Sequence, residues 1–250
     1  MPNLEALTTK TLGGLKVETV SEKIAHINFL VYGESGVGKT VLAGSSSEVK
    51  EMSPVLFIDV EGGTFSLREN YSGVDVVRVE TWTDMQKVYE GLASGELLYK
   101  TVVLDSLTEI QKFSMNLIMS ALVKEDPSRD LDVPGMREWG KNIEQVRRLV
   151  RGFRDLPMNT IFTALSSTAR DARTGIDKTR PGLSGKLSGE VAGFVDIVGY
   201  LYIKVLDGQV NRLLLTTSTD TQIAKDRSAK LPPVVEEPTM TKLYKLIYGG

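Results

Sequence analysis

Residues 31–42 read V-Y-G-E-S-G-V-G-K-T-V-L. Glycine loses more backbone entropy on folding than any other residue and packs no side chain, so such a cluster needs a local cause. Gly33, Gly38, Lys39 and Thr40 occupy every fixed position of the phosphate-loop pattern G-x-x-x-x-G-K-[ST], with Gly36 inside it. The flanks agree: Ile27 to Tyr32 reads as a buried strand, and Lys39 to Ser47 can open a helix. In such a turn successive backbone N–H groups point inward around a polyphosphate. The stretch Gly33, Glu34, Ser35, Gly36, Val37, Gly38, Lys39, Thr40 and Val41 is therefore the expected nucleotide cradle. Lys39 would reach the β- and γ-phosphates, and the Thr40 hydroxyl would hold Mg²⁺. The alternative is a glycine-rich strand-to-helix turn with no ligand.

Working outward, Pro54–Asp59, Val74–Val79, Thr101–Asp105 and Thr160–Leu165 read as further buried strands. Helices are expected over Thr83–Leu92, capped by Thr83 or Asp84, over Ser106–Val123, and over Met136–Leu156. A hairpin follows, with arms at Ile197–Val205 and Val210–Thr217 and a turn at Asp207-Gly208. Strands alternating with helices and closing on a hairpin predict an α/β sheet, parallel in the centre and antiparallel at one edge. Residues 1–25 are weakly patterned and read as an arm; residues 26–250 read as one domain.

Composition removes several classes of function. The chain has no cysteine and one histidine, His26, so disulfides, thiolate metal sites and multi-histidine centres are excluded. His26 precedes the first strand and reads as an edge residue. The net charge of −2 gives no global attraction to nucleic acid, so any such binding must be local. No apolar run is long enough to cross a membrane, and Met1–Glu5 lacks the start of a secretory leader. A cytoplasmic protein is expected.

Two further carboxylates suit phosphoryl chemistry. Asp105 ends an apolar strand, where a carboxylate organises Mg²⁺; its other reading is a cap for the following helix. Glu61 follows the second strand in F-I-D-V-E-G-G, at the expected ligand edge of the sheet; its other reading is an ordinary loop glutamate. No N-K-x-D base-reading motif is present, which favours ATP over GTP.

The set G-E-S-G-V-G-K-T, F-I-D-V-E and V-V-L-D-S resembles the RecA/RadA recombinase core over roughly residues 27–230. That resemblance implies a RecA-like P-loop fold and ATP hydrolysis with Mg²⁺. It implies that Glu61 is the catalytic base. It also implies that Lys225 and Arg227, in A-K-D-R, reach the γ-phosphate of a neighbouring copy in a filament or ring. There is no room for the extra DNA-binding domain of full-length recombinases, and a core this small looks like bacteriophage Sak4-type single-strand annealing ATPases. A glutamine or histidine sensor is absent after the fifth strand, where Ser166 and Ser167 are the substitutes at hand.

The same resemblance places DNA against two loops. Residues 125–138 are mostly acidic and make a poor phosphate binder. Residues 169–188 carry Arg170, Arg173, Lys178, Arg180 and Lys186, with Gly175, Gly182 and Gly185, and read as a mobile basic loop that contacts single-stranded DNA. The implied setting is a bacterial or phage-infected cell, with recombination or annealing as the role and a single-stranded-DNA-binding protein as a possible companion. A regulatory P-loop ATPase without DNA, and a small-molecule kinase, are the alternatives. The kinase leaves Glu61 and the Lys225/Arg227 pair without a role.

Overall fold

The computed structural model describes residues 11–17, 26–171, 174–206 and 208–249. Two-residue strands β1 (Thr11–Leu12) and β2 (Leu15–Lys16) pair with each other as a separate antiparallel ribbon. The remaining strands form one sheet: β3 (Asn28–Gly33), β4 (Val55–Asp59), β5 (Asp75–Arg78), β6 (Thr101–Asp105), β7 (Asn159–Arg170), β8 (Asp177–Pro181), β9 (Ile197–Leu206), β10 (Gln209–Leu215), β11 (Lys225–Asp226) and β12 (Val234–Glu236). The spatial order is β12-β10-β9-β3-β7-β6-β4-β5, with β8 paired to β7 and β11 to β9. β9, β3, β7, β6, β4 and β5 run parallel, while β9, β10 and β12 pair antiparallel. This is the α/β arrangement expected from the sequence, parallel in the centre and antiparallel at one edge.

Side-chain alternation along the central strands explains the layers. Leu30, Tyr32, Ile58, Leu104 and Phe162 face one side, where they meet α2 (Trp82–Ala93), α3 (Leu107–Glu125), α4 (Met136–Arg154) and α5 (Leu187–Phe194). Phe29, Val31, Phe57, Val103 and Ile161 face the other, against α1 (Lys39–Gly44) and α6 (Met240–Tyr248). Both faces are covered, which is why these strands read as continuous apolar runs.

Several boundaries differ from expectation for visible reasons. α2 starts at Trp82, because burying that indole pulls the first turn earlier. Its cap is Thr81, whose hydroxyl accepts from the Asp84 N–H at 3.1 Å, not Thr83 or Asp84. The helix after the phosphate loop tightens into a 3₁₀ turn at Ser45–Glu48, where the hydroxyls of Ser45, Ser46 and Ser47 donate to the carbonyls of Leu42, Ala43 and Gly44. The segment 169–188 is not one loop. β7 runs on to Arg170 and β8 folds back on it, so most of that stretch is a hairpin followed by the first turn of α5.

Candidate nucleotide site

Strand direction brings the phosphate loop, Glu61 and Asp105 to one edge. Gly33 ends β3, Asp59 ends β4 and Asp105 ends β6; these strands are parallel, with Asp59 in register with Asp105. Ligands of open α/β sheets bind at this carboxyl edge.

Within the loop, Gly36 and Gly38 have φ of 79° and 100°, a region that only glycine enters without strain. Lys39 is buried, and its ammonium donates to the carbonyls of Gly33 at 3.0 Å and Glu34 at 2.7 Å. Burial pushes this ammonium below the usual lysine range, and the charges of Asp105 and Glu61 oppose that shift.

The Thr40 hydroxyl donates to Asp105 Oδ2 at 2.7 Å, and the Thr163 hydroxyl donates to Asp105 Oδ1. Both carboxylate oxygens are thus occupied away from the backbone of α3, so Asp105 is not a helix cap. Ser106, at the head of α3, does not cap it either: its hydroxyl donates to Glu61 Oε1. Three hydroxyls therefore aim the two carboxylates, two on Asp105 and one on Glu61. A threonine hydroxyl beside a carboxylate is a hard oxygen donor set, which fits Mg²⁺, an ion that takes few protein ligands and keeps waters and substrate phosphates. Thr40 and Asp105 are the residues that would hold it.

Asp59 supports this edge and was not singled out from the sequence. It is buried, accepts from the N–H groups of Gly62 at 2.7 Å and Gly63 at 3.3 Å, and pairs with Arg78 at 3.4 Å. It folds back the turn that carries Glu61. The signal was in the sequence, a carboxylate two residues before Glu61 and followed by two glycines.

Lys225 and Arg227 do not join this site in their own chain. β11 pairs with Val198 and Ile197, which lie beside Leu30 and Phe29, and the Arg227 N–H donates to the Asp196 carbonyl. That level is roughly 10–16 Å along β3 from Gly33, toward the opposite edge. There Lys225 donates to the Ala192 carbonyl, while Arg227 donates to the Gly193 carbonyl at 2.9 Å and pairs with Asp196 at 3.1 Å. Burial and the Arg227 charge lower the Lys225 pKa, against the pull of Asp196.

The five basic residues expected to meet DNA are divided. Lys178 and Arg180 share one face of the β7–β8 hairpin, opposite Ala169 and Ser167, while Arg170 lies on the other face opposite Asp177. Lys178 lies 3.8 Å from Asp171. Arg180 Nε is buried with no hydrogen-bond partner among the described residues. Lys186 stands at the start of α5, and Arg173 lies outside the described residues.

A family model described as AAA domain (AAA_24) matches residues 25–228. Among solved structures, a KaiC-like protein from the archaeon Pyrococcus horikoshii OT3 is 16% identical with a TM-score of 0.42, covering 78% of this chain and 79% of that one. The flagellar accessory protein FlaH from Methanocaldococcus jannaschii is 11% identical with a TM-score of 0.48, covering 86% and 87%. A search of curated proteins finds no match. Among the described residues no helix is long and apolar enough to cross a membrane.

Proposed function

Because the chain belongs to the AAA domain family of P-loop proteins, we propose that it hydrolyses ATP with Mg²⁺ in the manner of the RecA-like ATPases and acts on single-stranded DNA. The observation that carries the reading is the meeting of Thr40 with Asp105 at 2.7 Å, with Lys39 behind the loop and Glu61 beside it on Ser106.

Each residue then has a task. Lys39 exchanges its two loop carbonyls for phosphate oxygens when nucleotide enters. Glu61 orients a water toward the γ-phosphate and takes its proton, held in place by Ser106 and by the turn that Asp59 ties down. Thr40 and Asp105 would hold Mg²⁺, which would supply charge neutralisation to the phosphates. Lys225 and Arg227, remote from their own site, are assigned to the site of a neighbouring copy. The β7–β8 hairpin, rising from the nucleotide edge, is assigned to DNA, and recombination or annealing in a bacterial or phage-infected cell is the setting. One observation favours a second reading, a regulatory ATPase acting on a protein partner: two of the hairpin's cations already face carboxylates, Arg170 opposite Asp177 and Lys178 near Asp171.

The test is steady-state ATP turnover over a range of protein concentrations, with and without single-stranded DNA. The DNA reading expects stimulation by DNA and a specific activity that rises with concentration. Constant specific activity, indifferent to DNA, contradicts it and leaves the regulatory reading.

A further inference from the structure

β10 brings to the phosphate loop a cation that the loop's own motif does not contain. Arg212 precedes the apolar run Leu213-Leu214-Leu215, and its backbone is held on both sides. Its N–H donates to Glu237 Oε1 at 2.7 Å, its carbonyl accepts from the Glu237 N–H at 2.8 Å, and it pairs with Ile203 across the β9–β10 ladder. Alternation puts its side chain on the same face as buried Leu214, the face that carries α1.

The side chain crosses the loop. A Cβ built on Gly38 would meet Arg212 Nε at 3.2 Å and Cδ at 3.5 Å. Gly38 is glycine because of its φ of 100°, and the Arg212 side chain passes close over it. Lys39 adjoins this glycine in sequence, and Arg212 crosses it in space. Arg78, at the same sheet edge, is neutralised by Asp59. Arg212 is exposed, and among the described residues its guanidinium has neither hydrogen bond nor ion pair. A fixed backbone, a free fork of donors and a second cation next to a loop built for anions all point to the same ligand chemistry.

We propose that Arg212 is a second phosphate-binding cation of the nucleotide site, supplied by the same chain from β10 and contacting the polyphosphate of a bound nucleoside triphosphate. This inference rests on the nucleotide reading above. It makes the β9–β10 hairpin a wall of the site. An arginine serves here better than a lysine, because its planar fork can reach two phosphate oxygens at once.

The test is equilibrium binding of a non-hydrolysable ATP analogue, and of adenosine, to the wild-type chain and to Lys39→Ala, Arg212→Ala and Arg212→Lys. Hydrogen bonds to charged groups are strong enough that Arg212→Ala should weaken triphosphate binding about tenfold or more. Adenosine binding should be unchanged, and Arg212→Lys should recover part of the loss. The thermal midpoint of Arg212→Ala should match the wild type, since the side chain is exposed. If Arg212→Ala binds the analogue within about twofold of wild type while Lys39→Ala loses it, this inference falls and the nucleotide reading stands. Equal losses for adenosine and analogue overturn the phosphate contact. A wild-type chain that binds no analogue overturns the nucleotide reading and this inference together.

Discussion

A methyl group on Gly33 would sit 2.2 Å from the Leu201 carbonyl oxygen and 3.1 Å from Val37 Cγ2. The first glycine of the loop is thus also where β3 and β9 come too close for any side chain. Gly33→Ala should therefore lose roughly 1–3 kcal/mol of stability through overpacking, read as a lower urea midpoint at unchanged slope. Unaltered stability would mean that the strands separate freely at this point. The neighbouring contacts obey the same economy of single atoms. Ser106 and Thr163 each spend one hydroxyl on one carboxylate, and each would leave that carboxylate less well aimed if replaced by alanine.

At the scale of elements, the sequence carried the β-α alternation because buried parallel strands are apolar on both faces and their turns are rich in glycine. The candidate site was legible for a related reason: Asp105 ends a strand and Glu61 follows one closely, both marked out by apolar runs, while Lys39 and Thr40 open α1 after the glycine loop that follows β3. Other elements were hidden for physical reasons. α6 has helical spacing in Met240, Leu243 and Ile247, with Thr239 accepting from the Lys242 N–H at 3.1 Å, yet it is short and starts close behind the equally short strand β12. The β7–β8 hairpin was hidden because its residues are polar and glycine-flanked; its order comes from tertiary contacts. Thr179 exchanges backbone hydrogen bonds with Thr221 and Ile223, and the Tyr32 hydroxyl donates to the Ile223 carbonyl at 2.7 Å and accepts from the Ile223 N–H at 3.2 Å. Burial raises the pKa of that hydroxyl, so it stays a donor at any working pH. If the hairpin meets DNA, Lys178 and Arg180 on its common face are the residues to contact phosphate. Replacing both with alanine should flatten the log–log salt dependence of single-strand binding by about 0.7 for each phosphate that is no longer neutralised. An unchanged slope would place the DNA on another surface.

In the proposed reading the whole molecule has two working ends. The carboxyl edge of the sheet gathers the loop, Glu61, Asp105 and Arg212; the opposite edge holds Lys225 and Arg227 against the last turn of α5. Tyr32 joins the first of these to the hairpin and to the 219–224 segment that leads into β11, so the two ends are linked through one buried phenol and one short run of backbone. Copies stacked head to tail would set the second edge of one against the first edge of the next, which is the geometry that a shared site requires. All of this depends on the nucleotide edge being catalytic and on Glu61 being its base. The direct measurement is ATP affinity beside ATP turnover for Glu61→Gln, a change that keeps size and hydrogen bonding to Ser106 but removes the proton acceptor. Affinity should stay near the wild-type value while turnover falls by about a hundredfold or more. Wild-type turnover in the folded variant, or parallel loss of affinity and turnover, would contradict a catalytic Glu61.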